Sequence, residues 1–271
     1  MPGRFHFAVV LILVVVPAAK ANFTLLDEGY RQMFNLQFNV AHGSFEDWRR
    51  LHPEDPMGPV SDAAAYLFAE FDRLHILQSE FFTNDRKFLD RQSPAPDPAV
   101  KQKFENALAE TQKLAERVDA RSPGEENAMF ASILRFGLHA NYLALIEKRY
   151  MASLREAKNA RVLAEELLAR DPKFYDAYLA IGTENYLLGL KPAPLRWMLR
   201  IGGAQTDKDL GIAKLRLTAE KGRYMLPYAR LLLAVAALRD KNRPRAKELL
   251  KGLARDFPGN RLYAQELARL P

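Results

Sequence analysis

Few side chains in this 271-residue chain have the types and spacing that chemistry needs. There is no cysteine, which removes disulfides, thiolate metal sites, cysteine nucleophiles and a lipid-modified N-terminal cysteine. The histidines are His6, His42, His52, His75 and His139, and none belongs to an HExxH pair. The nearest approach to a metal or acid–base group is Glu70, Asp72 and His75 in the run Glu70-Phe-Asp-Arg-Leu-His75. Asp72 and His75 are three residues apart, so one helical face would carry both. A di-metal bundle needs several such pairs from different helices, and the sequence holds no second one. The other reading of these residues is an ion-pair network with Arg73. Together with His139 they are the polar centre that a helical enzyme or ligand carrier would use.

Other reactive patterns are absent. No serine sits in a Gly-x-Ser-x-Gly elbow, and no Gly-x-x-x-x-Gly-Lys phosphate loop exists. Gly202-Gly203 ahead of Asp207 would leave amides free for an anion, or would simply form a turn beside an acidic residue. Pro194 to Ile201 carries Arg196 and Arg200 around Trp197 and Met198. That segment would touch a membrane surface or a partner; alternatively, Trp197 packs inward and the arginines are solvated. The aromatic groups Phe34, Phe38, Phe45 and Trp48, and Phe68, Phe71, Phe81 and Phe82, fall mainly at helical spacings and read as core. No catalytic residue, metal ligand or cofactor is therefore expected.

The elements that would position these residues are helices. The composition, 48% hydrophobic and 27% charged, is that of a folded globular protein. Alternating β-branched runs and Asn-Gly or Asp-Gly turns are missing. Helical periodicity predicts helices near 24–39, 41–52, 60–83, 97–120, 125–148, 150–170, 174–189, 207–221, 226–240, 243–256 and 260–269. A further short helix ends at Gly202-Gly203. Pro53, Pro56 and Pro59 break the chain, Ser93 to Pro98 is a linker, and Thr206 or Asp207 caps the helix that follows. The formal charge is +7, spread along the chain without a dense cluster, so no nucleic acid is expected as a partner.

The N-terminus reads as a targeting segment. Arg4 precedes the apolar run Phe7 to Val16, followed by Ala19-Lys20-Ala21, an Ala-x-Ala cleavage pattern. The run is about half of the roughly twenty residues needed to span a bilayer. We expect export with cleavage after Ala21 to the periplasm or beyond; the alternative is an uncleaved anchor. Removing Arg4 and Lys20 from the total leaves +5.

Three prolines close helices with a shared pattern upstream. Twelve, eight and five residues before Pro53 stand Ala41, Phe45 and Trp48. Before Pro172 stand Ala160, Ala164 and Leu167, and before Pro258 stand Ala246, Leu250 and Leu253. After Pro172 come Tyr178, Ile181, Gly182 and Tyr186; after Pro53 come Ala63 and Tyr66; Gly29 precedes Ala41 by twelve. This series resembles the tetratricopeptide repeat, a helix-turn-helix of about 34 residues. The prolines are 119 and 86 residues apart, neither a multiple of the repeat, so regions near 84–125 and 190–222 must hold longer helices or inserts.

The resemblance implies an all-α, tetratricopeptide-like solenoid of antiparallel hairpins with longer inserted helices. Its expected parts are a signal peptide at 1–21, N-terminal repeat-like helices at 22–92, a linker and long helix at 93–123, and C-terminal repeats at 124–271. It also implies a non-catalytic scaffold that binds an unidentified protein or peptide in a groove. Carried onto this chain, the groove positions are Val60, Ala64 and Leu67, and Asp176, Leu179, Thr183 and Tyr186. The packing positions are Gly29, Ala41, Pro53, Ala160, Pro172, Tyr178, Gly182, Ala246 and Pro258.

Overall fold

A computed structural model describes residues 23–77 and 94–270, and among them the chain is all-α, with twelve helices packed mostly against their sequence neighbours. The expected leader, 1–21, and the aromatics Phe81 and Phe82 lie outside the described residues. None of the described helices is long and apolar enough to cross a membrane.

The helices pair as successive hairpins. The first joins α1 (Leu25–Phe34) to α2 (Phe38–Leu51). Thr24 and Asp27 form a capping box at the start of α1. The single helix expected at 24–39 is broken at Leu36, whose φ of 61° lies in the left-handed region. The second pairs α3 (Met57–Arg73) with α4 (Pro98–Arg121), and the third α5 (Glu126–Leu145) with α6 (Tyr150–Arg170). Pro59, expected to break the chain, instead lies in the first turn of α3, where its missing N–H costs nothing. Asp97 caps α4 and Glu125 caps α5 through their carboxylates. A short 3-10 turn, Tyr175–Ala177, leads into α7 (Tyr178–Gly189), and α8 (Ala193–Ile201) follows. The partner of α7 is not α8 but α9 (Lys208–Lys221), which Asp207 caps. Then come α10 (Leu226–Arg239), α11 (Arg243–Asp256) and the terminal α12 (Arg261–Arg269).

One packing register recurs through these pairs. At the end of α2, α6 and α11 the residue before proline has left the helical region, with φ of −130°, −124° and −131° at His52, Asp171 and Phe257. A following proline forces its predecessor out of the helical region, which ends the helix. The residues twelve and eight back from these prolines, Ala41, Phe45, Ala160, Ala164, Ala246 and Leu250, are at most 3% exposed. The same offsets apply before Pro123, where Thr111 and Ala115 are buried at the end of α4. They apply again before Arg223, where Gly211, Leu215 and Thr218 are buried in α9. So five second helices share a register that three prolines announce.

The small residues make the close crossings. A Cβ at Gly29 would fall 2.2 Å from the Phe45 ring across α1 and α2. At Gly182 it would fall 2.9 Å from the backbone nitrogen of Leu215, and at Gly211 2.4 Å from that of Tyr186. Helices α7 and α9 therefore touch backbone to backbone.

The first and last helices of the described residues meet. Arg223 pairs with Asp27 at 2.6 Å, Asn260 donates to the carbonyl of Phe34 at 2.9 Å, and Arg261 pairs with Asp72 at 2.8 Å. Between them lies a run of aromatic contacts: Tyr30 on Tyr224, Phe34 on Phe257, and Phe68 on Tyr228. The largest core reaches from Leu26 in α1 to Met225 at the start of α10. These rings extend the core between the helices at the start and those at the end of the described residues.

Candidate functional site

The positions expected to line a partner groove are mostly inside the protein. Val60, Ala64 and Leu67 are 0%, 4% and 1% exposed, within the largest core. Asp176 is buried and accepts hydrogen bonds from the backbone amides of Arg223, Tyr224 and Met225. Burial pushes its carboxyl upward, opposed by those amides. It ties the entry of α7 to the turn before α10. Tyr186 is buried against Leu215 and Ala229, and burial raises its hydroxyl to about 12. Leu179 and Thr183 alone are half-open, in line with the exposed Leu187 on the same face of α7. The hydroxyl of Thr183 has no hydrogen-bond partner among the described residues.

The side chains of the expected polar centre are held on separate partners. Glu70 is buried, pairs with Arg73 at 2.7 Å and accepts from the amide of Asp97. Asp72 is the carboxylate that pairs with Arg261 across the chain ends. His75 is exposed, with φ of 56° in the turn after α3. His139, on α5, lies 3.5 Å from Glu156 of α6. Among the described residues no three His, Cys, Asp or Glu side chains gather where they could hold a metal ion.

A cleft of about 390 Å³ opens between the end of α2, the turn to α3, and α4. Its lining includes Glu46, Arg49, Arg50, His52 and Glu110. Arg49 is committed to Glu110 at 2.7 Å and stands 3.7 Å from Asp62, which in turn holds His42. Arg50 pairs with Asp47, and Asp55 accepts from the Trp48 indole. The Arg49–Glu110 pair joins α2 to α4, and the Trp48–Asp55 hydrogen bond holds the turn between α2 and α3.

Helix α8 carries four exposed large apolar residues, Leu195, Trp197, Met198 and Ile201. None of its residues is buried; Trp197 is 65%, Met198 63% and Ile201 69% exposed. The sequence left open whether Trp197 packs inward with solvated arginines; the structure puts the ring outside and gives both arginines partners. Arg196 donates to the carbonyl of Gly189, and Arg200 to the hydroxyl of Thr206. Lys158 of α6 donates to the carbonyl of Gly202. The amides of Gly202 and Gly203 return to Met198 and Arg200, so they close a turn and hold no anion. Beyond that turn the buried pair Arg161–Glu184 fixes the loop: Arg161 donates to the carbonyl of Gly203, and Glu184 accepts from the amide of Gln205. Burial raises the Glu184 carboxyl, against the amide of Gln205 and Arg161.

No family model, no curated protein and no solved structure matches this chain.

Sequence reasoning located the segment around Trp197 but not its exposure. The signal was present: Pro194, Trp197, Met198 and Ile201 follow the i, i+3, i+4, i+7 pattern of one helical face. Periodicity says that such a face seeks an apolar contact; it does not say whether the contact lies within the chain.

Proposed function

We propose that the protein is an exported, non-catalytic helical scaffold of tetratricopeptide-repeat type that binds a protein or peptide. The observation that supports this most strongly is the hairpin register shared by five second helices. Stacked hairpins of one register build an extended surface from repeated elements. Among the candidate acids, Asp72 pairs with Arg261 and Glu70 accepts from the amide of Asp97, so both join helices instead. Export rests on the leader-like segment Arg4 to Ala21.

The partner surface under this reading is the outer edge of α7. Leu179, Thr183 and Leu187 form a half-open, largely apolar stripe. Such a stripe suits an extended or helical peptide that supplies apolar side chains. The test is capture from the cell-envelope extract by the immobilised chain, beside a Leu179→Glu, Leu187→Glu variant of unchanged melting temperature. A protein retained by the wild type and lost by the variant is the expected result. Equal retention by both, or no retained protein, removes the stripe as a partner site. Tyr186 is unsuited to this test, because its burial makes loss of the ring, as in Tyr186→Ala, a folding defect.

A further inference from the structure

Helix α8 is spare to the hairpin that contains it. Helices α7 and α9 pack directly on each other, so α8 is an insertion between two partners and contributes no buried side chain to their contact. It is nonetheless held firmly. Arg196 ties its start to the end of α7, and Arg200, Lys158 and Arg161 tie its end to the loop before α9 and to α6. The polar anchors lie on one side; Trp197, Met198 and Ile201 stand free on the other. An exposed apolar stripe on a pinned helix marks a contact surface.

The charge around the stripe selects the occupant. No acidic residue occurs between Glu184 and Asp207, while Lys191, Arg196 and Arg200 all do. On the neighbouring α6, Arg155 and Lys158 are exposed. None of these five has a carboxylate partner among the described residues. The nearest acid in sequence, Asp207, is turned to the amides of Asp209 and Leu210. Basic residues beside a Trp-bearing apolar face are the composition of helices that lie in the headgroup region of anionic bilayers. Tryptophan adds its preference for the membrane–water interface.

We propose that α8 docks the protein on the surface of an anionic phospholipid bilayer, with Trp197, Met198 and Ile201 in the headgroup boundary and the cations over the lipid phosphates. The helix lies on the membrane and does not span it: α8 has nine residues, against the roughly twenty that spanning requires.

The chain contains two tryptophans, Trp48 and Trp197, so Trp48→Phe leaves a single reporter on α8. The full chain carrying this change is mixed with vesicles of phosphatidylcholine alone, and with vesicles of about three parts phosphatidylcholine to one of phosphatidylglycerol. The expected result is a blue shift of Trp197 emission with the anionic vesicles only, reversed when salt rises from about 0.1 M to about 0.5 M. In co-sedimentation, Met198→Ser with Ile201→Ser in this chain weakens partitioning by roughly tenfold or more, since apolar burial sets much of such binding. Because every compared chain carries the same N-terminus, the leader-like segment contributes equally. An unshifted emission with anionic vesicles overturns the proposal. So does partitioning that the double variant leaves unchanged, or a shift produced only by envelope protein.

Discussion

Helices α8 and α9 follow one another in sequence and are held by opposite means. Helix α9 meets α7 through missing side chains: Gly182 and Gly211 let the backbones touch, and Leu215 and Thr218 are fully buried. Helix α8 meets its surroundings through hydrogen bonds at its ends and leaves its apolar residues in water. The first arrangement specifies a fold, because dense packing tolerates little change. The second specifies a position for an outward face. A hairpin's own helices must bury their stripes; an inserted helix is released from that requirement and is available for contact.

The largest effect that would sharpen this contrast lies where the two arrangements join. Arg161 is 5% and Glu184 5% exposed, and their pair holds the loop that leaves α8. Arg161→Ala strands a buried carboxylate and should cost about 3–5 kcal/mol, read from chemical denaturation. A loss below about 1 kcal/mol would mean that water reaches Glu184 and that the anchor is weak. Next comes Gly182→Leu, whose Cβ would press on the backbone of Leu215; overpacking of this kind costs roughly 1–3 kcal/mol. An unchanged melting curve would remove Gly182 from the α7–α9 crossing. Tyr186→Phe goes the other way. The Tyr186 hydroxyl is buried without a partner, and deleting such a group should gain on the order of 1 kcal/mol. A loss instead would show that the hydroxyl has a partner, such as a bound water.

The chain ends offer a smaller, pH-dependent test. Burial works to raise the Asp27 carboxyl, but hydrogen bonds from Arg223 and Thr24 outweigh it and hold it below its usual 3.8. A carboxylate depressed in the folded state adds stability that is present above 3.8 and is lost as pH falls through the folded value. Arg223 is half-exposed, so the contribution is discounted to under about 1 kcal/mol. Asp27→Asn should therefore lower stability slightly at neutral pH and converge with the wild type in acid. Parallel curves at all pH values would show that the pair does not join the two ends.

Much of this fold was legible because helix ends and close crossings leave local marks. The offsets before Pro53, Pro172 and Pro258 point to buried residues, apart from Trp48, which is half-buried. The two other second helices escaped notice for a physical reason. Before Pro123 the small slot holds Thr111, whose hydroxyl is satisfied by the carbonyl of Ala107, so a polar residue serves where alanine was sought. Before Arg223 there is no proline at all; Gly222 ends α9 in an extended conformation unaided. The groove positions were less legible. Whether Val60 and Leu67 face a partner or the core depends on contacts such as Phe34 with Phe257, which join residues more than two hundred apart. Nothing local encodes that helices so far apart in sequence pack together.

The smallest expected effect bears most directly on the contrast between α8 and α9. If α8 only presents a face, then its outward side chains add nothing to folding. Trp197→Ser and Ile201→Ser remove large apolar groups that are 65% and 69% exposed, so no cavity opens and no buried contact is lost. Surface changes of this kind stay within about 0.5 kcal/mol. Leu215→Ser in α9 removes a smaller side chain than Trp197→Ser does, yet Leu215 is 0% exposed, and its loss should cost about 2–5 kcal/mol. Thermal melts of the two variants side by side decide the matter. A Trp197→Ser melt as depressed as that of Leu215→Ser would mean that α8 packs against this chain in solution, and its face would then belong to the core rather than to a contact surface.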